Sequence, residues 1–220
     1  MTRAIIFDMD GLLVDSESVW QIAEEAMLTA RGLTMNSTAR AALIGLRIDE
    51  FMMKMREIYN LQESADDLIE ELIQRMLVLI PTDVKPQPGA PELVRFVAEH
   101  QVPRAIASSS PQIIIDAIVK AQGWDELVTV RCSAEHEQRG KPAPDVYLRA
   151  AEKLGIDPAG CLALEDSPNG ARAAIAAGML CYAVPDATHS TAAAFTGITP
   201  HVFDNLHQVL EKVRANGILR

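Results

Sequence analysis

Short apolar segments alternate with amphipathic segments over most of the chain. The apolar segments read as strands, and they cover residues 4–7, 104–107, 128–132, 162–164 and 179–184. Helical patterns lie between the later strands, over residues 91–100, 113–121, 145–154 and 171–177. This alternation is typical of a parallel sheet covered by helices. We therefore predict an α/β fold with a Rossmann-like parallel sheet core.

A purely helical stretch separates the first strand from the others. We expect helices over residues 16–31, 38–43, 48–59 and 65–79, after which three prolines break the pattern. Connections within α/β units are usually short, so four helices in one connection favour an inserted cap domain. We predict a cap over residues 16–81 and a core of residues 1–15 and 82–220. The alternative is that these helices pack on the sheet as part of one domain.

The net charge and the cysteine content indicate which binding partners and which cellular compartment to expect. The chain has 220 residues, 49% hydrophobic, with a net charge of −10, which argues against nucleic-acid and membrane partners. Its cysteines, Cys132, Cys161 and Cys181, are widely spaced and odd in number, as expected of reduced thiols in the cytoplasm. The first apolar run is too short for a signal peptide or a membrane span. We expect a cytoplasmic monomer.

Two aspartates follow the first strand directly. Alternate side chains of a strand share a face, so Asp8 and Asp10 can point the same way. Two neighbouring carboxylates repel each other, and a hard cation such as Mg²⁺ is the simplest compensation. Such a pair suits a nucleophile and an acid/base group in phosphoryl transfer. The other interpretation is an Asp-rich turn that uses the freedom of Gly11.

Three further polar clusters follow predicted strands. They are Ser108-Ser109-Ser110-Pro111, Lys141 in a proline-flanked loop, and Glu165-Asp166-Ser167. Each alone has an ordinary explanation, as a helix N-cap or an exposed loop lysine. Ligands bind open parallel sheets at the carboxyl ends of the strands, so the four clusters are expected to converge. Together they predict a site for a phosphate and a cation.

These segments resemble the four motifs of the haloacid dehalogenase-like phosphohydrolases, in the group with a helical cap after the first motif. The resemblance implies that Asp8 attacks phosphorus and forms an aspartyl-phosphate, and that Asp10 protonates the leaving oxygen and then activates water. It implies that Ser108 and Lys141 hold the phosphoryl group. It also implies a Mg²⁺ cofactor bound by Asp8, the Asp10 carbonyl and Asp166, with Glu165 nearby.

The resemblance extends to candidate substrate contacts. Ser109, Trp20 and Arg47 are predicted to bind the substrate, and Gly45-Leu46-Arg47 is similar to the cap loop of sugar-phosphate phosphatases. We therefore expect a phosphatase for a small phosphorylated metabolite, the phosphate of a sugar or polyol. The alternative is a β-phosphoglucomutase-type mutase, in which a histidine stands at Trp20 and a lysine at Ile44. A dehalogenase would lack Asp10, and a non-catalytic protein would not keep all four motifs.

Overall fold

The computed structural model describes residues 2–215 except 42, 44 and 187–189. The strands, in chain order, are β1 (Ala4–Phe7), β2 (Val14–Asp15), β3 (Lys85–Pro86), β4 (Arg104–Ser108), β5 (Val130–Ser133), β6 (Cys161–Glu165) and β7 (Leu180–Ala183). The helices are α1 (Glu17–Thr29), α2 (Ser37–Ala41), α3 (Ile48–Tyr59), α4 (Ala65–Asp83), α5 (Ala90–Glu99), α6 (Gln112–Ala121), α7 (Asp145–Leu154), α8 (Pro168–Ala176) and α9 (Leu206–Ala215).

Five of the strands form one parallel sheet in the order β5-β4-β1-β6-β7. The strand β1 lies at its centre, with Phe7 opposite Ile106 of β4 and Leu164 of β6. The carboxyl ends of these three strands therefore lie side by side at one edge. The predicted α/β class with a parallel sheet is confirmed.

The central strand is buried on both faces, and its residues alternate between two hydrophobic clusters. Ile5 and Phe7 pack in the larger cluster with residues of α5, α6 and α9. Ala4 and Ile6 face the other way and pack with residues of α7 and α8. A strand sandwiched in this manner reads as a continuous apolar run, which is why the sequence of β1 shows no polar position.

Helices α1–α4, which we call the inserted helices, lie between β2 and β3. The two short strands pair antiparallel, with Val14 opposite Pro86 and Asp15 opposite Lys85. They bring the two ends of the insertion together beside the sheet. Helix α4 packs against α1 and α3 within the insertion and against α6 outside it. The predicted helical insertion is confirmed.

Some predicted bounds were wrong. Helix α4 was expected to end before Pro81, but it continues to Asp83. Proline lacks an N–H, so Pro81 cannot donate to the Leu77 carbonyl one turn earlier, but the helix continues for two residues beyond it. Strand β5 was expected at 128–132 and lies at Val130–Ser133. The short pair β2–β3 and helix α9 were not predicted as elements.

None of the helices in the described part of the chain is both long enough and apolar enough to cross a membrane.

Candidate active site

The four polar clusters meet at the carboxyl edge of the sheet. Asp8 follows β1, and its backbone N–H still donates to the Leu164 carbonyl of β6 at 2.9 Å. Ser108 and Glu165 are the last residues of the flanking strands β4 and β6. Lys141 reaches the same point from the loop between β5 and α7. The convergence predicted from the sequence is present.

Lys141 joins two of these carboxylates. Its Nζ donates to Asp8 Oδ1 and, at 2.6 Å, to Glu165 Oε1. Glu165 is completely buried, and its Oε1 also accepts the hydroxyl hydrogen of Tyr147 at 2.6 Å. The Glu165 Oε2 atom accepts from the Ser167 hydroxyl at 3.2 Å. Glu165 therefore has a structural role, because it holds the ammonium group of Lys141 beside Asp8.

Tyr147 was not identified as part of the site from the sequence. A signal was nevertheless present, because Tyr147 lies in the buried stripe of α7 with Val146, Ala150 and Ala151. A buried tyrosine hydroxyl needs a hydrogen-bond partner. The other buried residues of this stripe are small or aliphatic, and Lys141 lies six positions earlier in the chain. A tyrosine in such a stripe therefore indicates a buried polar partner nearby.

Burial governs the electrostatics here. It raises the pKa of Asp8 well above the usual range; Lys141 opposes this shift, while Glu165 and Asp166 add to it. Burial also raises the pKa of Asp166, and Glu165 raises it further. For Lys141, burial alone lowers the pKa, but Asp8 and Glu165 outweigh it and the pKa lies above its ordinary value. The acidic groups therefore outnumber the positive charge available to them.

Two glycines leave space for these carboxylates. A Cβ atom on Gly170 would lie 1.9 Å from Glu165 Oε1 and 2.1 Å from Oε2. A Cβ atom on Gly11 would lie 2.3 Å from Asp166 Oδ2, and Gly11 also has a φ of +79°. Real Cβ atoms do not make such contacts. Both positions therefore require glycine if the carboxylates are to keep their places.

Asp10 is held by three hydroxyl groups. Its Oδ2 accepts from Ser108 at 2.8 Å and from Ser110 at 2.9 Å, and its Oδ1 accepts from Ser16 at 2.6 Å. Ser16 was predicted to cap α1; it occupies the N-cap position, but its side chain makes no capping hydrogen bond. The hydroxyl of Ser109 is buried and has no partner among the described residues.

Two cavities open around Asp10. The sheet-edge cavity, about 260 Å³, is lined by Asp8, Lys141, Asp166 and their neighbours. The insertion cavity, about 70 Å³, lies between the sheet edge and the inserted helices and is lined by Trp20, Glu24 and Arg40, among others.

Four residues line both cavities: Asp10, Glu17, Gly45 and Ser109. The cavities therefore adjoin, and Asp10 lies at their junction.

The residues predicted to bind substrate are placed differently from one another. Ser109 and Trp20 line the insertion cavity. Arg47 lines neither cavity: its guanidinium binds both carboxylate oxygens of Asp49, at 2.6 and 2.7 Å, and donates to the Glu137 carbonyl at 2.9 Å. Arg47 therefore connects α3 to the loop before Lys141. Ile44, which distinguished the chain from mutases, lies outside the described residues.

A family model for haloacid dehalogenase-like hydrolases matches residues 2–178. The chain belongs to this family. Hexitol phosphatase B of Escherichia coli (strain K12) is 36% identical over 185 residues, which is 83% of each protein. Probable pseudouridine-5'-phosphatase of Drosophila melanogaster is 33% identical over 189 residues, 82% of this chain and 80% of that protein. The crystal structure of β-phosphoglucomutase from Clostridium difficile has a TM-score of 0.81 with 21% identity and covers 100% of both chains, which shows a shared fold.

This haloacid dehalogenase-like hydrolase has an acidic cluster that could hold a metal ion. Asp8, Glu165 and Asp166 each offer a carboxylate oxygen within 4.8 Å of the others, and all three are buried. Lys141 supplies one positive charge against three carboxylates. Buried carboxylates in excess of their counter-ions favour a bound cation. The carboxylate of Asp10 is not a member of this group.

Proposed function

We propose that the chain is a Mg²⁺-dependent phosphatase that hydrolyses a sugar or polyol phosphate through an aspartyl-phosphate at Asp8. The observation that carries this proposal is the position of Asp10 at the junction of the two cavities. A phosphate in the sheet-edge cavity and a carbon chain in the insertion cavity would place the scissile oxygen beside Asp10. A proton donor is needed at that point of the substrate.

The proposed first step is attack of an Asp8 carboxylate oxygen on phosphorus. The bond from phosphorus to the substrate oxygen breaks, and Asp10 gives its proton to that oxygen, so the alcohol leaves. In the second step Asp10 takes a proton from water, the water oxygen bonds to phosphorus, and the bond to Asp8 breaks. Phosphate leaves, and Asp8 and Asp10 return to their starting forms.

Lys141 and the serine segment support these steps. The ammonium group of Lys141 lies against Asp8, where it would also meet a phosphoryl oxygen. Ser109 offers a buried hydroxyl without a partner among the described residues. We assign Mg²⁺ to Asp8 and Asp166, with Glu165 beside them and the Asp10 carbonyl as a further ligand. When bound, the cation would neutralise the charge that develops on the phosphoryl oxygens.

The inserted helices are proposed to act as a cap domain over residues 16–81; α4, the last of them, continues to Asp83. The pairing of β2 with β3 supports the division, because both chain connections to the insertion pass through this short ribbon. The insertion cavity lies between the proposed cap and the core. Opening and closing of such a cap would admit substrate and exclude bulk water.

We also propose a hydroxylated substrate and a reducing compartment. The similarity to hexitol phosphatase B, together with the polar groups and Trp20 in the insertion cavity, supports a hydroxylated substrate. Cys132, Cys161 and Cys181 are all free thiols and buried, which supports a reducing compartment such as the cytoplasm.

The test is a screen of phosphorylated metabolites for released phosphate, with an added alcohol that competes with water as the acceptor. A common intermediate predicts that phenyl phosphate and a sugar phosphate give the same ratio of free phosphate to phosphorylated alcohol. A ratio that depends on the leaving group would contradict the aspartyl-phosphate. Formation of glucose 6-phosphate from β-glucose 1-phosphate, faster than free phosphate, would identify a mutase instead.

A further inference from the structure

A polar cluster in the wall of the insertion cavity has no role in the proposed chemistry. Helix α1 places Glu17, Trp20 and Glu24 along one side, three, four and seven positions apart, and all three line the cavity. Arg40 of α2 faces them and lines it as well. Glu24 is 3% exposed and Arg40 7% exposed. Two charged side chains are thus almost fully buried where a substrate would lie.

Arg40 binds both acidic residues of this cluster. Its Nε donates to Glu24 Oε2 at 2.5 Å, and its Nη2 lies 3.4 Å from Glu24 Oε1. The same Nη2 atom donates to the Glu17 carbonyl at 3.1 Å and lies 3.4 Å from Glu17 Oε2. A carboxylate can accept about four hydrogen bonds, so Glu24 keeps acceptor capacity on both oxygens. The positive charge of Arg40, in contrast, is already matched twice.

Stability alone gives little reason for this arrangement. A buried ion pair is often no more stabilising than hydrophobic residues of similar size. Apolar side chains such as Leu43, Phe51 and Leu72 line the rest of the same cavity. A charged pair in an apolar wall therefore suggests recognition of a polar ligand.

We propose that Glu24, oriented by Arg40, determines specificity: it accepts hydrogen bonds from hydroxyl groups of an uncharged polyhydroxylated chain and, with Glu17, rejects a second phosphate. This inference rests on the proposed function and names the substrate class of that same site. The insertion cavity, about 70 Å³, has room for about two water-sized groups at about 30 Å³ each, enough for the end of a short hydroxylated segment. Trp20 lines the same cavity, where its apolar ring would pack against the C–H groups of that segment.

Rejection of a second phosphate follows from the charges. Among the described residues that line the insertion cavity, Arg40 is the sole basic side chain, whereas Asp10, Glu17 and Glu24 are acidic. A phosphate there would meet like charges without a free cation, and like-charge juxtaposition is strongly unfavourable. Preferred substrates should therefore be monophosphates.

The experiment compares glucitol 6-phosphate, glucitol 1,6-bisphosphate and phenyl phosphate. We expect the wild-type protein to prefer the monophosphate over the bisphosphate by at least about 100-fold in kcat/KM. In Glu24→Gln, KM for glucitol 6-phosphate should rise about tenfold relative to KM for phenyl phosphate, the loss expected for one hydrogen bond to a charged acceptor. The preference for the monophosphate should also fall about tenfold.

Two further variants keep the test decisive. Glu71→Gln is the matched control, because Glu71 pairs with Arg31 and Arg75 in the inserted helices and lines neither cavity; it should preserve both ratios. If Glu24→Gln does not fold, the double variant Glu24→Gln/Arg40→Gln removes the whole ion pair at similar volume and should show the same rise in KM for glucitol 6-phosphate. Its preference for the monophosphate should be kept, because one acidic and one basic charge are removed together.

The outcomes separate this inference from the proposed function. If the wild-type protein releases phosphate from none of the three compounds or the screened metabolites, the proposed function fails. If it is active but prefers the bisphosphate, or if both Glu24 variants lower activity equally on glucitol 6-phosphate and phenyl phosphate, the inference about Glu24 is wrong while the phosphatase proposal stands.

Discussion

Replacement of Tyr147 by phenylalanine tests whether Glu165 is held by its hydrogen-bond partners. The tyrosine is fully buried, and its hydroxyl donates to Glu165 Oε1 at 2.6 Å. Lys141 Nζ lies 5.1 Å from the centre of the Tyr147 ring, a contact that phenylalanine keeps. The substitution therefore removes one hydroxyl and leaves the packing and the cation–π contact in place.

The expected loss of stability depends on the charge and burial of Glu165, the partner of the Tyr147 hydroxyl. A hydrogen bond to a charged group contributes about 1.5–3 kcal/mol, and Glu165 has no access to water that could replace the lost donor. We expect Tyr147→Phe to lower the free energy of unfolding by about 2 kcal/mol. Because Glu165 orients Lys141 toward Asp8, we also expect kcat to fall about tenfold, which corresponds to about 1.4 kcal/mol in the barrier.

The assay is urea unfolding of the metal-free protein together with steady-state hydrolysis of phenyl phosphate. The matched control is Tyr59→Phe, since the Tyr59 hydroxyl accepts the exposed Asn36 N–H at 2.7 Å on the inserted helices. The control should change neither stability by more than about 1 kcal/mol nor the rate. Stability of Tyr147→Phe within about 0.5 kcal/mol of wild type would refute the argument that Glu165 depends on this hydroxyl.

Four further results are expected. Chelation of divalent cations should abolish phosphate release and added Mg²⁺ should restore it; full activity in excess chelator would remove the cation from the proposal. Asp8→Asn should eliminate turnover while the protein stays folded, as measured by phosphate release and circular dichroism, and a near-normal rate would exclude Asp8 as nucleophile. Gly170→Ala should cost at least about 2 kcal/mol of unfolding free energy in urea, because its Cβ would overlap Glu165; an unchanged midpoint would contradict this. A hydrogen bond from Arg31 lowers the pKa of Glu71, so the stabilisation that the Glu71 carboxylate provides is present above the unfolded pKa of about 4.3 and is lost as the pH falls through the lower folded pKa. Glu71→Gln should therefore cost up to about 0.5 kcal/mol at pH 7 and less at pH 3, and an equal cost at both pH values would contradict the pairing.

The sheet and the meeting of the four motifs were predictable because both depend on local patterns. Each strand is a short apolar run that ends in polar residues, and parallel strands present their carboxyl ends at one edge. Helices α3 (Ile48–Tyr59) and α7 (Asp145–Leu154) lie at the predicted bounds, since their amphipathic patterns begin and end sharply. In these segments the local sequence and the tertiary structure favour the same conformation.

Contacts between distant residues were not predictable in this way. Asp10 receives hydrogen bonds from Ser108 and Ser110, which are 98 and 100 positions away. The choice between a serine that caps a helix, binds phosphate or holds a carboxylate depends on which side chains the fold brings near. Arg47 shows the same limit: its motif was recognised, but Asp49 and the Glu137 carbonyl take up its guanidinium.

The two cavities together bear on the choice between hydrolase and mutase. A phosphosugar mutase forms a sugar bisphosphate, so one phosphate must occupy the site beside Asp8 while the other lies at the far end of the sugar. In this chain the second phosphate would face Glu17 and Glu24, whose carboxylates already pair with the guanidinium of Arg40. The carboxylates of Glu17 and Glu24, which would accept hydrogen bonds from hydroxyl groups, would therefore repel the second phosphate of a bisphosphate intermediate. If Glu24 has the proposed role, we expect water to be the acceptor, because the insertion cavity would favour release of an uncharged alcohol and would disfavour its return as a second phosphate ester.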